Sequence, residues 1–122
     1  VNLDPSGRLT VLRKRAEFVK VQNKGKRHRG RSLLLMVYPN ESDKSRIGLT
    51  VSRKVGNAVV RNRVRRRLRE SIRANPERFA SGQDYVFIAR ARSARAGSST
   101  LHKEVEWLLS QVSLQAGHPE SL

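Results

Sequence analysis

The sequence of 122 residues contains no cysteine. Disulfide bonds and thiolate metal sites are therefore excluded, and the core must be held by apolar packing. A chain of this length fits one compact domain. The lack of cysteine also suits a reducing compartment, so we expect the protein in the cytoplasm.

Long hydrophobic segments are also missing. The longest strongly apolar run covers residues 33–38, whereas a membrane-spanning helix needs about 20 residues. Residues 1–7 lack the apolar centre of a secretory signal peptide. The sequence therefore predicts no membrane-spanning segment.

Acidic residues are scarce: 10 Asp and Glu stand against 26 Lys and Arg, which gives a formal net charge of +16. A chain that repels itself this strongly favours a polyanionic partner, nucleic acid first and an anionic membrane surface second. The charge is concentrated in residues 8–31 and 46–73, each with ten basic residues and one acidic residue. Residues 98–122 are net acidic, so we expect them to be structural.

Aromatic residues make up only 5% of the chain and are scattered. A stacking platform on a sheet needs aromatics on neighbouring central strands, which this pattern lacks. Tyr85 and Phe87 share one strand face and are assigned to the core. Phe18 is as consistent with an RNA contact as with packing, and Trp107 fits either the core or an exposed helix position.

Hydrophobic periodicity predicts the element order α, β, β, α, β, α. Helices are expected at about residues 12–24, 57–74 and 101–112, and strands at 33–38, 47–51 and 85–89. The short connection at residues 39–43 favours an antiparallel hairpin between the first two strands, with room for a third strand before the second helix. Residues 26–31 and 90–99 are expected to form loops.

Arginine is concentrated in the second predicted helix, with seven Arg within residues 61–73. An apolar stripe runs along one side of this helix at Val60, Val64, Leu68 and Ile72. The opposite side carries Asn62, Arg65, Arg66, Arg69 and Arg73, and one flank carries Arg63 and Arg67. Like charges spaced by four residues destabilise a helix, and a merely solvated face would alternate Lys with Glu. This helix is therefore predicted to bind nucleic acid, and its N-terminus after the N-cap Asn57 adds a phosphate site.

Residues suited to catalysis are not grouped. His28, His102 and His118 stand alone, without Asp, Glu or Cys at metal-ligand spacing. Phosphate-binding loops, nucleophile elbows and zinc-protease motifs are absent from the sequence. We therefore predict no catalytic residue and no metal site in this chain.

The block at residues 53–69, R-K-V-G-N-A-V-V-R-N-R-V-R-R-R-L-R, resembles the signature of the bacterial ribonuclease P protein component. Its centre is Arg61-Asn62-Arg63, and residues 16–21, 46–59 and 84–90 are similar to the same family. The similarity covers about residues 8–111. It implies an α/β (α+β) two-layer sandwich of order α-β-β-β-α-β-α, with a four-stranded, mostly antiparallel sheet and a left-handed βαβ crossover.

We expect a single RNA-binding domain at residues 9–115, between a flexible arm at 1–8 and a tail at 116–122. The resemblance further implies the function of this domain. Such a protein is an accessory subunit that binds a catalytic RNA subunit and the 5′ leader of precursor tRNA, and it assists endonucleolytic removal of the leader. Catalysis would belong to the RNA and require Mg²⁺, and the protein alone would hold no cofactor. The expected partners are these two RNAs, with neither DNA nor a membrane.

Site residues carry over from the resemblance by position. The side facing the RNA subunit would comprise Arg53, Lys54, Arg61, Asn62, Arg63, Arg65, Arg66 and Arg69. The leader cleft would comprise Phe18, Gln22, Met36, Ser52 and Asn57. Because Gln22 and Met36 stand where some relatives have aromatic residues, the cleft is expected to rely less on base stacking and more on hydrogen bonds.

Two other functions stay open from the sequence. A stand-alone RNA-binding module, such as a ribosomal or chaperone-like protein, explains the charge but not the block at residues 53–69. It predicts equal affinity for tRNA with and without a 5′ leader. A protein nuclease would have to cut RNA without an RNA subunit, and the sequence offers no acid–base pair for that reaction.

Overall fold

The computed structural model describes Gly7 and residues 9–116. The strands are β1 Leu9–Val11, β2 Lys26–Arg29, β3 Leu33–Pro39, β4 Ser45–Thr50 and β5 Gln83–Ala89. The helices are α1 Arg15–Lys24, α2 Ala58–Arg73 and α3 Ser98–Ala116, and two 3₁₀ segments cover Pro76–Arg78 and Ala91–Arg95. The predicted arm and tail lie outside the described residues, except for Gly7 and for Ala116, which closes α3.

The five described strands form one sheet in the order β1-β4-β5-β3-β2. β4 lies parallel to β1 and β5, and β3 lies antiparallel to β5 and β2. The mixed α+β class is confirmed, but the prediction of four mostly antiparallel strands is wrong. The missed strand β1 has three residues, too few for a readable alternation. Leu9 is nonetheless fully buried, and the Leu12 N–H donates to the Ile47 carbonyl over 2.8 Å.

The predicted hairpin between β3 and β4 is also wrong, because β5 lies between them. Phe87 of β5 is paired with Leu35 of β3 on one side and with Leu49 of β4 on the other. Residues 85–89 of β5 are continuously apolar, and the central position of this strand buries both of its faces. The connection after β3 therefore passes the start of β5, where Gly82 exchanges backbone hydrogen bonds with Asn40 and Lys44.

Residues predicted as a basic loop form the edge strand β2. The third strand expected between the hairpin and the second helix is not there, because residues 51–57 form the turn that leads into α2. In β2, His28 faces the core and is 5% exposed, whereas Lys26, Arg27 and Arg29 are exposed. Charged side chains on an edge strand oppose pairing with another sheet. They also give the segment the composition of a loop, which is why its sequence did not indicate a strand.

The element α2 joins the neighbouring parallel strands β4 and β5, which gives the βαβ unit that the resemblance implies. The left-handedness of this unit stays a prediction. The predicted start of α2 after Asn57 is confirmed. The helix α1 begins at Arg15 instead of residue 12, because the backbone of Leu12 still pairs with β4.

Helices cover both faces of the sheet, so the predicted two layers are corrected to three. Alternate residues of a strand point to opposite faces. Tyr85 and Phe87 lie in the larger core with residues of α2 and α3, as assigned from the sequence, whereas Val86 lies in a smaller core with Val21 of α1. Periodicity shows that a helix has an apolar side but not which sheet face that side covers.

Candidate nucleic-acid interface

The orientation of α2 is fixed by its cap and its apolar stripe. The Asn57 side chain accepts a hydrogen bond from the Val60 N–H over 3.0 Å, so it is the predicted N-cap. Val64, Leu68 and Ile72 are fully buried against the sheet and α3. The opposite side of the helix therefore faces away from the core.

This opposite side presents the predicted basic residues between positions 62 and 69 to the solvent. Asn62, Arg66 and Arg69 are exposed, and Arg65 is half-buried with its guanidinium donating to the Asn62 side chain over 3.3 Å. In the part of the chain that the structure describes, none of the arginines between positions 61 and 69 pairs with a carboxylate. Their charges are therefore left for an external polyanion.

Arg63 and Arg67 have a different environment on the flank of α2. The Arg63 guanidinium donates to the Ala94 carbonyl over 3.1 Å, and that of Arg67 donates to the Ala96 carbonyl over 2.8 Å. Both side chains are half-buried, and their Nε atoms are buried. The structure thus separates Arg63 from the exposed set and places it against the protein's own backbone.

The turn before α2 adds two further cations. Arg53 and Lys54 are exposed, and the turn is closed by the Val55 N–H donating to the Ser52 carbonyl over 3.0 Å. This turn leads directly to the N-terminus of α2, where free backbone N–H groups attract phosphate. We call Asn62, Arg65, Arg66 and Arg69, together with Arg53 and Lys54, the α2 surface.

A cleft opens beside the α2 surface, around the short strand β1. It has a volume of about 220 Å³ and is lined by Val11, Leu12, Phe18, Ile47, Gly48, Leu49, Arg65, Arg69 and Ile72. We call it the Phe18 cleft. An aromatic ring and two guanidinium groups therefore border one concave site, although the sequence placed Phe18 and the arginines on separate surfaces.

The ring of Phe18 lies on the sheet because Gly48 has no side chain. A Cβ at Gly48 would stand 2.5 Å from Cε1 of Phe18 and 3.2 Å from Leu12. Glycine inside a strand pattern marks such a close approach. This signal was present in the sequence, but only the structure shows which ring it accommodates.

The other predicted cleft residues are dispersed. Met36 is 3% exposed and packs with Val21 and Val86 beneath α1, so it supports the cleft from below. Gln22 is half-buried on α1. Ser52 and Asn57 lie in the turn before α2, where Ser52 Oγ accepts from the Lys54 N–H and Asn57 caps the helix.

An ion-pair network that no local sequence pattern signals holds α1 to the sheet. Arg46 of β4 binds both oxygens of Asp84 over 2.7 Å each and reaches Glu17 of α1 over 2.7 Å. The hydrogen bond to Asp84, more than that to Glu17, raises the pKa of Arg46 above its ordinary value. Because Glu17 lies one position from Phe18, this network fixes the wall of the Phe18 cleft.

A hydroxyl, an imidazole and a carboxylate meet between α2 and α3. Ser71 Oγ lies 2.8 Å from His102 Nδ1, and His102 Nε2 lies 3.2 Å from Glu106. The prediction that His102 stands alone is therefore wrong. Ser71 is only 2% exposed, so its hydroxyl cannot meet a substrate, and the three groups instead tie the two helices together.

The described residues offer neither a metal site nor a membrane-spanning helix. No three His, Asp or Glu side chains among them come together in an arrangement that could hold a metal ion. Within the same residues, no helix is both long enough and apolar enough to cross a bilayer.

Comparisons with known proteins agree with one another. The family model described as Ribonuclease P matches residues 7–113. The ribonuclease P protein component of Caldanaerobacter subterraneus subsp. tengcongensis is 40% identical over 107 residues, which cover 88% of this chain and 92% of the relative. The solved RNase P protein of Staphylococcus aureus is similar with a TM-score of 0.78 at 28% identity, covering 84% of this chain and 94% of that one. The solved RNase P protein of Thermotoga maritima is similar with a TM-score of 0.75 at 31% identity, covering 82% of this chain and 94% of that one.

Proposed function

Because this chain belongs to the ribonuclease P protein component family, we propose that its surfaces divide between two RNAs. It is the protein subunit of ribonuclease P, the endoribonuclease that forms the mature 5′ end of tRNA, and the cleavage chemistry belongs to the RNA subunit. We assign the catalytic RNA subunit to the α2 surface. The single-stranded 5′ leader of precursor tRNA is assigned to the Phe18 cleft.

The observation that carries this assignment is the set of α2 arginines between positions 61 and 69, which have no carboxylate partner among the described residues. Guanidinium groups bind phosphate through a planar pair of N–H donors and remain charged at all relevant pH values. The rigid helix presents Arg65, Arg66 and Arg69 at fixed spacing beside the turn cations Arg53 and Lys54. Such a surface suits the phosphates of a folded RNA and needs no recognition of base edges.

The Phe18 cleft suits a single strand because it combines a ring with cations. A base can stack on Phe18, whose ring is only half-buried, while Arg65 and Arg69 lie within reach of the adjoining phosphates. Beyond the smaller core, Leu34 and Ile88 leave further apolar surface partly open. The leader would therefore enter between α1 and the sheet.

The role of the protein in the reaction is positional. By binding the leader and the RNA subunit at once, the chain would hold the scissile phosphate in the RNA active site and reduce the entropy lost on binding. We propose that Mg²⁺ is held by the RNA subunit and not by this chain; there it would supply activation of water and stabilisation of the leaving oxygen. Cytoplasmic location stays a prediction from the sequence.

Reconstituted cleavage tests the proposal. Precursor tRNA is incubated with the RNA subunit at moderate Mg²⁺, with and without this protein, and the released leader is measured. We expect the protein to raise the rate of cleavage at the mature 5′ end. An unchanged rate at saturating protein contradicts the proposal.

A binding comparison separates this function from that of a general RNA-binding module. In the presence of the RNA subunit, precursor tRNA with a leader should bind more tightly than mature tRNA, because only the leader fills the Phe18 cleft. Equal affinities would favour the general module. Cleavage by the protein without RNA would instead indicate a protein nuclease.

A further inference from the structure

Trp107 is the single tryptophan of the chain, and 50% of it is exposed on α3. Tryptophan is a large apolar residue that is mostly buried in folded proteins, unless it serves a binding surface. Here it borders a shallow pocket of about 550 Å³ between α3 and the turn that joins β2 to β3. The pocket is lined by Arg29, Gly30, Arg31, Thr100, Lys103, Glu104 and Trp107, and we call it the Trp107 pocket.

The electrostatics of the Trp107 pocket favour an anion. Arg29, Arg31 and Lys103 are exposed around the indole. The one acidic lining residue, Glu104, instead accepts hydrogen bonds from the backbone N–H groups of Ser32 and Leu33, over 2.9 and 2.7 Å. An indole face surrounded by three cations matches a nucleotide, which offers a flat base and a phosphate.

The same carboxylate makes the pocket rigid. Glu104 fixes the β2–β3 turn to α3, and Gly30 is required beneath it because a Cβ there would collide with the carboxylate. On its other side the turn is held by Arg90, whose guanidinium donates to the Gly30 carbonyl over 3.3 Å. The cations and the indole are therefore carried on a preformed frame, which lowers the cost of ordering them on binding.

The Trp107 pocket connects through further arginines to the flank of α2 that carries Arg63 and Arg67. A neighbouring pocket of about 540 Å³ shares Arg31, Thr100 and Glu104 with it and adds Arg92 and Arg95. Those two arginines belong to the 3₁₀ segment whose end is held by Arg63 and Arg67 of α2. A basic path thus leads from α2 to Trp107, on the side of the sheet opposite to α1 and Phe18.

We infer that the Trp107 pocket binds an unpaired nucleotide of the catalytic RNA subunit, with the base stacked on the indole and its phosphates near Arg29, Arg31 and Lys103. This inference rests on the proposed function. The RNA subunit is the occupant because Arg92 and Arg95 form an exposed basic path between the flank of α2 and the pocket, which lies away from the cleft assigned to the leader. A protein partner is disfavoured because the exposed side chains around the indole, Arg29, Arg31 and Lys103, are all positively charged.

The single tryptophan makes the test direct, since all indole fluorescence of the full chain comes from Trp107. Titration with the RNA subunit should change the emission, because a stacked base quenches an indole. Titration with leader-bearing precursor tRNA alone should leave it unchanged. Trp107→Ala should weaken binding of the RNA subunit by about 5- to 150-fold, the range expected for one lost stacking contact, and Trp107→Phe should be intermediate.

Leu114→Ala is the matched control, because Leu114 is also an exposed apolar residue of α3 but does not line the pocket. It should bind the RNA subunit as the wild type does. Thermal melts of each variant establish that it is folded, which is expected because half of Trp107 is already exposed to solvent.

Three results would overturn the inference. They are an unchanged affinity of Trp107→Ala for the RNA subunit, an emission change produced by precursor tRNA alone, and an emission change that follows protein concentration without RNA, which would indicate a second copy of the chain. Each can be obtained while the wild type still stimulates cleavage. Failure of the proposed function is distinct, because the wild type would then not stimulate cleavage at all.

Discussion

At the scale of single residues, His28 links the stability of the fold to pH. Its ring is buried at the edge of the sheet, where His28 is paired with Leu35 of the larger core. Burial, with a further contribution from Lys26, lowers the pKa of His28 below 6.5. The imidazolium is therefore less favourable in the folded chain than in the unfolded chain. The stability from neutral His28 is fully present above about pH 6.5 and is lost as the pH falls through the lowered pKa.

We expect the free energy of unfolding to fall between pH 7 and pH 5 in the wild type. His28→Gln cannot titrate and should show a flatter dependence over this interval, even if it is less stable throughout. Urea denaturation at several pH values measures the free energy of unfolding of the wild type and of the variant. Parallel pH profiles for the two proteins would mean that His28 does not contribute.

Gly48 supports Phe18, so its substitution tests the cleft without removing the ring. A Cβ at position 48 displaces the Phe18 ring from the sheet. We expect Gly48→Ala to weaken binding of leader-bearing precursor tRNA in the holoenzyme by about tenfold, a loss in the range of one stacking contact. Filter binding with leader-bearing and mature tRNA measures the difference.

Gly97→Ala is the matched glycine control, because a Cβ at Gly97 meets no atom within 4 Å. It should keep the full leader preference. If both alanine variants keep it, the packing of Phe18 on Gly48 is irrelevant to leader binding.

At the scale of elements, α2 carries arginines that face the solvent and arginines that bind the protein's own backbone, and two double substitutions distinguish their roles. Arg65→Ala with Arg69→Ala should weaken RNA binding and reduce its salt dependence, by about 0.7–0.9 in the logarithmic slope for each lost phosphate contact. Arg63→Ala with Arg67→Ala removes hydrogen bonds to Ala94 and Ala96 and should mainly lower the melting temperature. Affinity measured at several salt concentrations distinguishes them, and equal slopes for both pairs would contradict the assignment.

The attachment of α1 depends on Arg46. Arg46→Met leaves the Asp84 carboxylate, whose side chain is 5% exposed, without its bidentate partner. Breaking a buried ion pair on one side costs about 3–5 kcal/mol, so we expect a loss of stability of that order. Chemical denaturation measures this loss, and the variant Asp84→Asn with Arg46→Met should recover part of it because the buried charge is then removed.

At this scale the sequence predicted only features that depend on residues within one segment. The arginine row, the Asn57 cap and the stripe from Val64 to Ile72 follow from a period that is visible within one segment. The network of Glu17, Arg46 and Asp84 could not be predicted, because it joins residues 29 and 38 positions apart. The roles of Arg63 and Arg67 were hidden for the same reason, since their partners lie 31 and 29 positions away.

At the scale of the whole molecule, the order of strands was beyond the sequence. Short connections suggested that β3 and β4 pair, but the apolar β5 needs a neighbour on each side and takes the place between them. Only a global comparison of buried area decides between these arrangements. The family resemblance gave the order of elements after β1 correctly, but neither β1 itself nor the distribution of helices over two faces.

A net charge of +16 on one small domain also predicts a response of the whole fold to anions. Sulfate or pyrophosphate should bind the cations of the α2 surface in the folded state and raise the melting temperature by about 5 °C or more at concentrations well above the dissociation constant. Sodium chloride at equal ionic strength is the control. An equal rise in chloride would show general screening without specific binding.

Arg65 and Arg69 stand at the boundary between the α2 surface and the Phe18 cleft, and so belong to both. A side chain that is ordered by one RNA is already in place for the other. By thermodynamic linkage, if the bound RNA subunit raises the affinity of the protein for the leader by some factor, the bound leader raises the affinity for the RNA subunit by the same factor. Substrate capture and enzyme assembly would then reinforce each other through the same two guanidinium groups.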